Sequence, residues 1–401
     1  MICYNTHAVT KYEQLIETLK TDILGGKYSR TEPIPSVRAL MRRFSLSDST
    51  IGRALDELTR EGLISRRRGS GTFVTRKALS RKLGLILPGM GYSEFFPLVA
   101  GEFLRCANDR GYTTLIGDIT ARSAEGRVTQ ARRFAESFVR EGVSGVVFMP
   151  LEFVNDASDA NRRIISVFDE AGVGVVLLDR DITSPSGRGR YDVIGIDNYD
   201  AGFRVATHLI ERGARRIGLL AQRNASPCRR DRILGAMAAA GLSDAVKCRA
   251  LFAEADDFKA IRAYLRRNRP DAFICSSDRQ SARLKVALDR LGLRVPDDVM
   301  LAGFNDIQIA GLMTPALTSI HQPCSEIARR AFEVLLERIA HPGAPVEEIR
   351  LSAPLVVRAS TWGDSWEGGH GRKDRAVRKL PGGVVRQGGA HSRSRRDRPR
   401  R

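Results

Sequence analysis

The stretch that most constrains this chain is residues 36–74, SVRALMRRFSLSDSTIGRALDELTREGLISRRRGSGTFV. Ser36 is positioned to cap a short helix whose apolar residues Val37, Leu40, Met41 and Phe44 recur three and four apart. Ser45-Leu46 makes a break. Ser47 then caps a second helix with Ile51, Ala54, Leu55 and Leu58 on its inward face. The opposite face carries Ser49, Arg53, Asp56 and Arg60, with Gly52 beside it. After Gly62, two β-prone runs at 63–65 and 72–74 flank the basic tip Arg66-Arg67-Arg68-Gly69-Ser70-Gly71. Helix, turn, helix and basic hairpin form the layout of a winged helix-turn-helix, whose second helix enters a major groove. Each feature alone also suits a small packed module or a solvated turn; their conjunction over ~40 residues points to DNA.

The residue types fit that task. Ser49, Gly52 and Arg53 lie near the start of the second helix, where base edges are within reach. The helix start at Ser47 and Thr50 offers free N–H groups to a phosphate. Arg66, Arg67 and Arg68 would neutralise phosphates, while Gly69 and Gly71 permit close backbone approach. The stretch resembles the GntR-type regulators in Pro35-Ser36-Val37-Arg38-Ala39-Leu40, Ser47-Asp48-Ser49-Thr50, Glu61-Gly62-Leu63-Ile64 and Gly69-Ser70-Gly71-Thr72-Phe73-Val74, over residues 10–76. That resemblance adds Arg38 to the DNA-contacting set. Many members carry Arg where this chain has Asp48 and Gly52, which points to an operator unlike the family's usual site.

Charge is unevenly placed. Of the net +19, residues 1–78 hold 14 Lys/Arg against 8 Asp/Glu, and residues 371–401 hold 12 against 2. The 292 residues between are left near neutral, at +3. A basic head and tail favour a nucleic-acid partner over a generally basic enzyme. The six cysteines lack C-x-x-C spacing and read as free thiols of a reducing cytosol. The six histidines form no metal-ligand cluster, so no metal or other cofactor is expected. The N-terminal residues lack an apolar signal core, and no apolar run approaches ~20 residues, so a cytoplasmic protein is expected, with no membrane partner.

With 401 residues the chain should hold more than one domain. Thr10-Lys11-Tyr12-Glu13 begins a capping box before a helix with Tyr12, Leu15, Ile16, Leu19 and Ile23 inward, stopped by Gly25-Gly26. The expected division is a DNA-binding head at 8–77, a linker at 78–82, a body at 83–361 and a basic, disordered tail at 362–401. From Leu83 the pattern alternates strand and helix, which predicts an α/β body with doubly wound parallel sheets, two rather than one. Ligands bind beyond the carboxyl ends of such strands. The loops there are expected at 88–96, 179–190, 221–231, 276–280 and 304–308.

The body, over about 83–361, resembles the LacI/GalR regulators, which share the two-lobed fold of periplasmic sugar-binding proteins. The markers are Val193-Ile194-Gly195-Ile196-Asp197-Asn198, Ala201-Gly202, His208-Leu209-Ile210, Arg232-Ile233-Leu234-Gly235, Pro270-Asp271-Ala272, Ser277-Asp278, Gly292-Leu293-Arg294-Val295-Pro296-Asp297-Asp298-Val299, Gly303-Phe304-Asn305-Asp306, Pro315-Ala316-Leu317-Thr318-Ser319-Ile320 and Leu355-Val356-Val357-Arg358. A GntR-type head on a LacI-type body is the arrangement of the arabinose-repressor-like regulators. The resemblance assigns Arg232 to ligand hydroxyls, which a planar five-donor guanidinium suits. Asn305 stands where members usually have Asp, and Ser277 where many have Asn. Asp278 is expected to cap the helix beginning near Gln280 rather than touch ligand. Asp179, closing a strand at the lobe boundary, is a hydroxyl acceptor. Tyr92, Phe95 and Phe96, in the first crevice loop, either stack on a sugar face or dock their helix.

No catalytic set is visible. Together these readings imply a sequence-specific transcriptional regulator, a repressor of carbohydrate-utilisation genes. It would act as a homodimer on a palindromic double-stranded operator and respond to a sugar or sugar derivative between its lobes. The competing readings are a solute-binding protein, which the head and the missing signal argue against, and a sugar-modifying enzyme.

Overall fold

The computed structural model describes residues 10–24, 27–28, 32–75, 80–182, 189–222 and 226–362. The glycine stop at 25–26, residues 76–79 at the start of the connector and residues 363–401 of the basic tail lie outside the described residues.

The head is built as its sequence implies. Helix α1 (Lys11–Leu24) starts on the capping box: Thr10 N–H donates to Glu13 Oε2 at 2.7 Å and Glu13 N–H to Thr10 Oγ1 at 3.2 Å. Ser36 caps α2 (Val37–Phe44) and Ser47 caps α3 (Asp48–Arg60). Between the two helices Ser45 turns the chain at φ +54°. Ile51, Ala54, Leu55 and Leu58 are buried with Leu15, Ile16, Leu19, Ile23 and Leu40 in a core of the head's own. Strands β1 (Ile64–Arg67) and β2 (Gly71–Val74) pair antiparallel, Ile64 opposite Val74 and Arg67 opposite Gly71. They run longer than expected, so Arg66 and Arg67 belong to the strand and the turn shrinks to Arg68-Gly69-Ser70. Gly69 at φ +76° and Gly71 at φ +112° hold backbone that L side chains rarely adopt.

In the body, β3 (Lys82–Leu87), α4 (Phe95–Asp109), β4 (Thr113–Asp118), α5 (Ala124–Glu141), β5 (Gly145–Phe148), α6 (Ala157–Glu170), β6 (Gly174–Leu178) and β7 (Asp192–Ile196) make the first lobe. Helix α7 (Asn198–Glu211) leads into the second: β8 (Arg216–Ala221), α8 (Pro227–Gly241), β9 (Lys247–Phe252), α9 (Phe258–Asn268), β10 (Ala272–Cys275), α10 (Asp278–Arg290), β11 (Met300–Asn305), α11 (Gln308–Leu312) and β12 (Thr318–His321). The chain returns through α12 (Cys324–Ala340) to β13 (Glu348–Leu351) in the first sheet, then to β14 (Leu355–Val356) in the second. The two six-stranded sheets have orders β13-β7-β6-β5-β3-β4 and β14-β12-β11-β10-β8-β9. Within these two sheets, among the described residues, only the β12–β14 pair is antiparallel. Three crossings of the chain therefore hinge the lobes.

Several elements depart from expectation. Strands β9, β12, β13 and β14 lie outside the strand–helix alternation expected from the sequence. The edge strands β9 and β13, KCRALF and EIRL, alternate in burial instead of forming a continuous apolar run, and the interior β12, TSIH, begins on two polar residues. Helix α4 begins at Phe95, so Phe95 and Phe96 form its first turn instead of a loop. Helix α8 begins at Pro227, a residue pre-set for a first turn, which puts Arg232 in the second turn instead of at the helix start. Among the described residues no helix is long and apolar enough to cross a membrane, and no group of three metal-ligating side chains occurs.

Candidate nucleic-acid interface and effector cleft

On α3, Ser49, Arg53, Asp56 and Arg60 are exposed, and Gly52 lies beside them half-buried. Arg38 is exposed on α2. The Ser47 hydroxyl is committed locally: it accepts from Thr50 N–H and lies 3.0 Å from Ser49 Oγ and 2.8 Å from Thr50 Oγ1. Arg53 rests over the Tyr12 ring at 5.5 Å and Arg67 over Phe73 at 4.7 Å, so both stems are braced by aromatic faces. Arg66 differs from the reading that grouped it with the wing tip. Its guanidinium turns back onto α3, 2.8 Å from Asp56 and donating to the Gly52 carbonyl at 3.2 Å. It clips the wing to the helix. Arg68, Gly69 and Gly71 are exposed at and beside the turn.

Between the lobes lies a cavity of about 490 Å³ at the carboxyl ends of strands from both sheets. Phe95, Phe96, Asp179, Arg232, Ser277 and Asn305 all line it. Tyr92 ends a short 3-10 turn, Met90–Tyr92, and its side chain lies outside the described residues. Phe95 is 5% exposed and meets Phe96 edge-on at 5.6 Å, so it chiefly docks α4. A larger cavity of about 810 Å³ lies beyond Asp179 toward residues 345–350, but of the expected ligand groups it includes only Asp179.

Arg232 is 4% exposed and held rigidly. Its Nε donates to Asn198 Oδ1 at 2.7 Å and an Nη to the Ser276 carbonyl at 2.8 Å, with the guanidinium over the Phe304 ring at 4.7 Å. Two edges of the fork are thus spent on the protein. Asn305, at φ +107°, accepts from Gln322 Nε2 at 3.0 Å. Ser277, not Asp278, caps α10, accepting from Gln280 N–H at 3.4 Å. Asp278 is instead fully buried, taking Ser319 Oγ–H at 2.5 Å and Ile307 N–H at 3.0 Å, and so ties α10 to β12 and to the start of α11.

Burial lifts the Asp278 carboxyl to about 7, against the hydrogen bonds from Ser319 and Ile307 that favour its charged form. In the unfolded chain it ionises near its ordinary 3.8, so between pH 4 and 7 the native state holds more protons than the unfolded state. Stability from this group is therefore greatest at low pH, falls through that window, and is flat above it. The expected penalty at pH 8 is up to about 4 kcal/mol. Chemical denaturation of wild type and Asp278→Asn from pH 4 to 8 checks this: the difference between the two should grow with pH and level off above 7.

Several cleft residues carried no sequence signal strong enough to be singled out. Glu152, just past β5, sits 2.8 Å from an Arg180 Nη and 3.3 Å from Arg229 Nε. Burial would raise the Glu152 carboxyl, but Arg180 and Arg229 outweigh it and hold it at about 2. Arg180 is 6% exposed and also 3.3 Å from Asp179. Cys228, its thiol pushed up to about 12 by burial, donates to Asp179 at 3.1 Å. Gln308 N–H donates to Glu94 Oε2 at 2.7 Å. The Glu152–Arg229, Asp179–Cys228 and Glu94–Gln308 contacts each span the two lobes. The strand-end rule could have found Glu152, because the loop after β5 faces the crevice like those after β3 and β6.

Comparison with known proteins agrees with this architecture. Residues 11–74 match the bacterial regulatory proteins of the gntR family, and residues 206–361 match the periplasmic binding protein-like domain. An arabinose metabolism transcriptional repressor of Geobacillus stearothermophilus is 27% identical over 373 residues, covering 88% of this chain and 97% of that protein. The HTH-type transcriptional repressor PurR of Erwinia tasmaniensis is 28% identical over 258 residues, covering 63% of this chain and 71% of that one. The structure of a transcriptional regulator CelR–cellobiose complex superposes with a TM-score of 0.59 at 23% identity, covering 79% of this chain and 91% of that one. A head with its own core, a cleft between two parallel sheets and these matches together give the chain a GntR-type helix-turn-helix head on a periplasmic-binding-protein-like body, the architecture of relatives that are transcriptional repressors.

Proposed function

We propose that the protein is a cytoplasmic, non-enzymatic repressor of carbohydrate-utilisation genes, acting as a homodimer on a palindromic operator and controlled by a small sugar-derived ligand in the interlobe cleft. The observation that carries it is the pairing of two sites on one chain. An exposed α3 face with a braced Arg53 stands beside an arginine wing, and a rigidly held Arg232 lines a cavity between hinged lobes. The arabinose repressor that resembles nearly the whole chain supports a sugar as the ligand class. In this reading Ser49, Gly52 and Arg53 meet base edges, while Arg38, Thr50, the Ser47 helix start, Arg67, Arg68, Gly69 and Gly71 follow the phosphates. Arg66 acts by fixing the wing's angle. Arg232, Asn305, Ser277, Asp179 and Phe96 meet the ligand. A ligand that binds the closed lobes more tightly than the open ones shifts the balance between them and moves the two heads of the dimer.

The test is selection of operator fragments from random DNA by the full chain, followed by variants on a panel of altered sites. A two-fold symmetric sequence should be enriched. Replacing Arg67 and Arg68 together by Ala should weaken binding to every sequence and reduce the salt slope by about two. Arg53→Ala should cost about 1–3 kcal/mol at particular base pairs only. No enrichment, or identical behaviour of the two variants across the panel, contradicts the reading.

A further inference from the structure

We infer that the ligand of this cleft is an anionic polyol, a sugar frame bearing a carboxylate or phosphate, rather than a neutral sugar. This rests on the cleft being the effector site and names the chemistry it selects. Six arginines line the cavity against three carboxylates. The body as a whole is near neutral, so positive charge is concentrated at this point. Glu152 already neutralises part of it, paired with both Arg180 and Arg229. Arg232 and Arg127 differ, with no ion-pair partner among the described residues. Arg232 faces an amide, a carbonyl and a ring, and Arg127 donates to the Phe153 carbonyl at 2.5 Å. Arg232 is 4% exposed and Arg127 half-buried with its Nε out of solvent; a guanidinium withdrawn from water without a salt-bridge partner is costly, and an anion entering the cavity offsets that cost.

The unpaired hydrogen-bonding groups point the same way. Arg127 Nε, Arg180 Nε and Gln280 Nε2 are buried in the lining with no hydrogen-bond partner. Gln280 is 7% exposed, and its oxygen is already taken by Ser276 Oγ–H at 2.5 Å. All three are donors. The Glu152 oxygen that also lacks a hydrogen bond faces the two arginine ion pairs. A hydroxyl brings a donor with every acceptor, whereas a carboxylate or phosphate brings acceptors alone, so a cleft with surplus donors favours the anion. The amides of Gln222, Asn305 and Gln322 and the Phe153 ring suit the hydroxylated remainder of such a molecule.

Thermal shift and operator release by the full chain test this with matched pairs: D-gluconate and D-glucose 6-phosphate against D-glucose, D-galacturonate against D-galactose, with inorganic phosphate as the bare anion. At least one sugar anion should raise the melting temperature where its neutral parent does not, and added salt should weaken it. Whether the carboxylates or the phosphate respond identifies which anion the site takes. Arg127→Gln, compared with its own ligand-free melting temperature, should lower affinity for that anion at least tenfold. A neutral parent binding as tightly as its anion, inorganic phosphate matching the sugar anions, or unchanged affinity in Arg127→Gln overturns the inference. If a neutral sugar binds and releases operator, the regulator reading survives and the anion is wrong; if nothing in either set acts, the effector reading fails as well.

Discussion

Gly235→Ala should destabilise the body by about 3 kcal/mol or more, although it adds one methyl group to a helix. A Cβ at Gly235 would stand 2.0 Å from the Tyr199 carbonyl oxygen, and one at Gly202 would stand 2.0 Å from the Arg232 carbonyl. Helices α7 and α8 therefore meet backbone to backbone at two points, and neither contact involves a flexible side chain that could give way. The helices must part, and the Arg232–Asn198 hydrogen bond between them is the first functional casualty. For a body of this size the melting temperature should fall by roughly 6–12 °C. Gly241→Ala, at the end of the same α8 with nothing within 4 Å of its added methyl, should be neutral or slightly stabilising. Calorimetry of wild type and the two variants decides it, and a Gly235→Ala variant as stable as Gly241→Ala would mean that the two helices are not in backbone contact.

Arg232→Ala should abolish the effector response and also lower stability. The ligand-hydroxyl role alone predicts only the first effect. The structure adds the second, because the same guanidinium satisfies Asn198 Oδ1 and the Ser276 carbonyl inside the protein. Leaving both unpaired costs about 1–3 kcal/mol each. The head should still bind operator, since its core includes no residue of α8. Asn305→Ala should weaken the response more mildly, because an amide offers fewer and uncharged contacts. Fluorescence anisotropy of labelled operator, titrated with the active effector, reads the function, and thermal melts read the stability. Release from Arg232→Ala at the wild-type effector concentration would move the ligand out of this cleft, the larger cavity beyond Asp179 being the next place to look.

The head was legible in the sequence nearly residue by residue. Ser36, Ser47 and the Thr10–Glu13 box cap helices within three positions of themselves, and the inward faces of α1 and α3 follow from local spacing alone. The alternation of buried strands with helices, and hence two parallel sheets, was legible for the same reason: central strands write themselves as unbroken apolar runs. Edge strands β9 and β13 were not, because water on one side removes that signal. What only the tertiary structure decided is which partner each polar group meets. Arg66 and its neighbour Arg67 look equivalent in sequence, yet one clips the wing to α3 and the other stays on its surface. Asp278 reads as a helix cap and is a buried strut. Arg180 and Arg229 lie 28 and 77 residues from Glu152 along the chain. Their pairing depends on where three separate strand ends converge, and no local pattern encodes that distance.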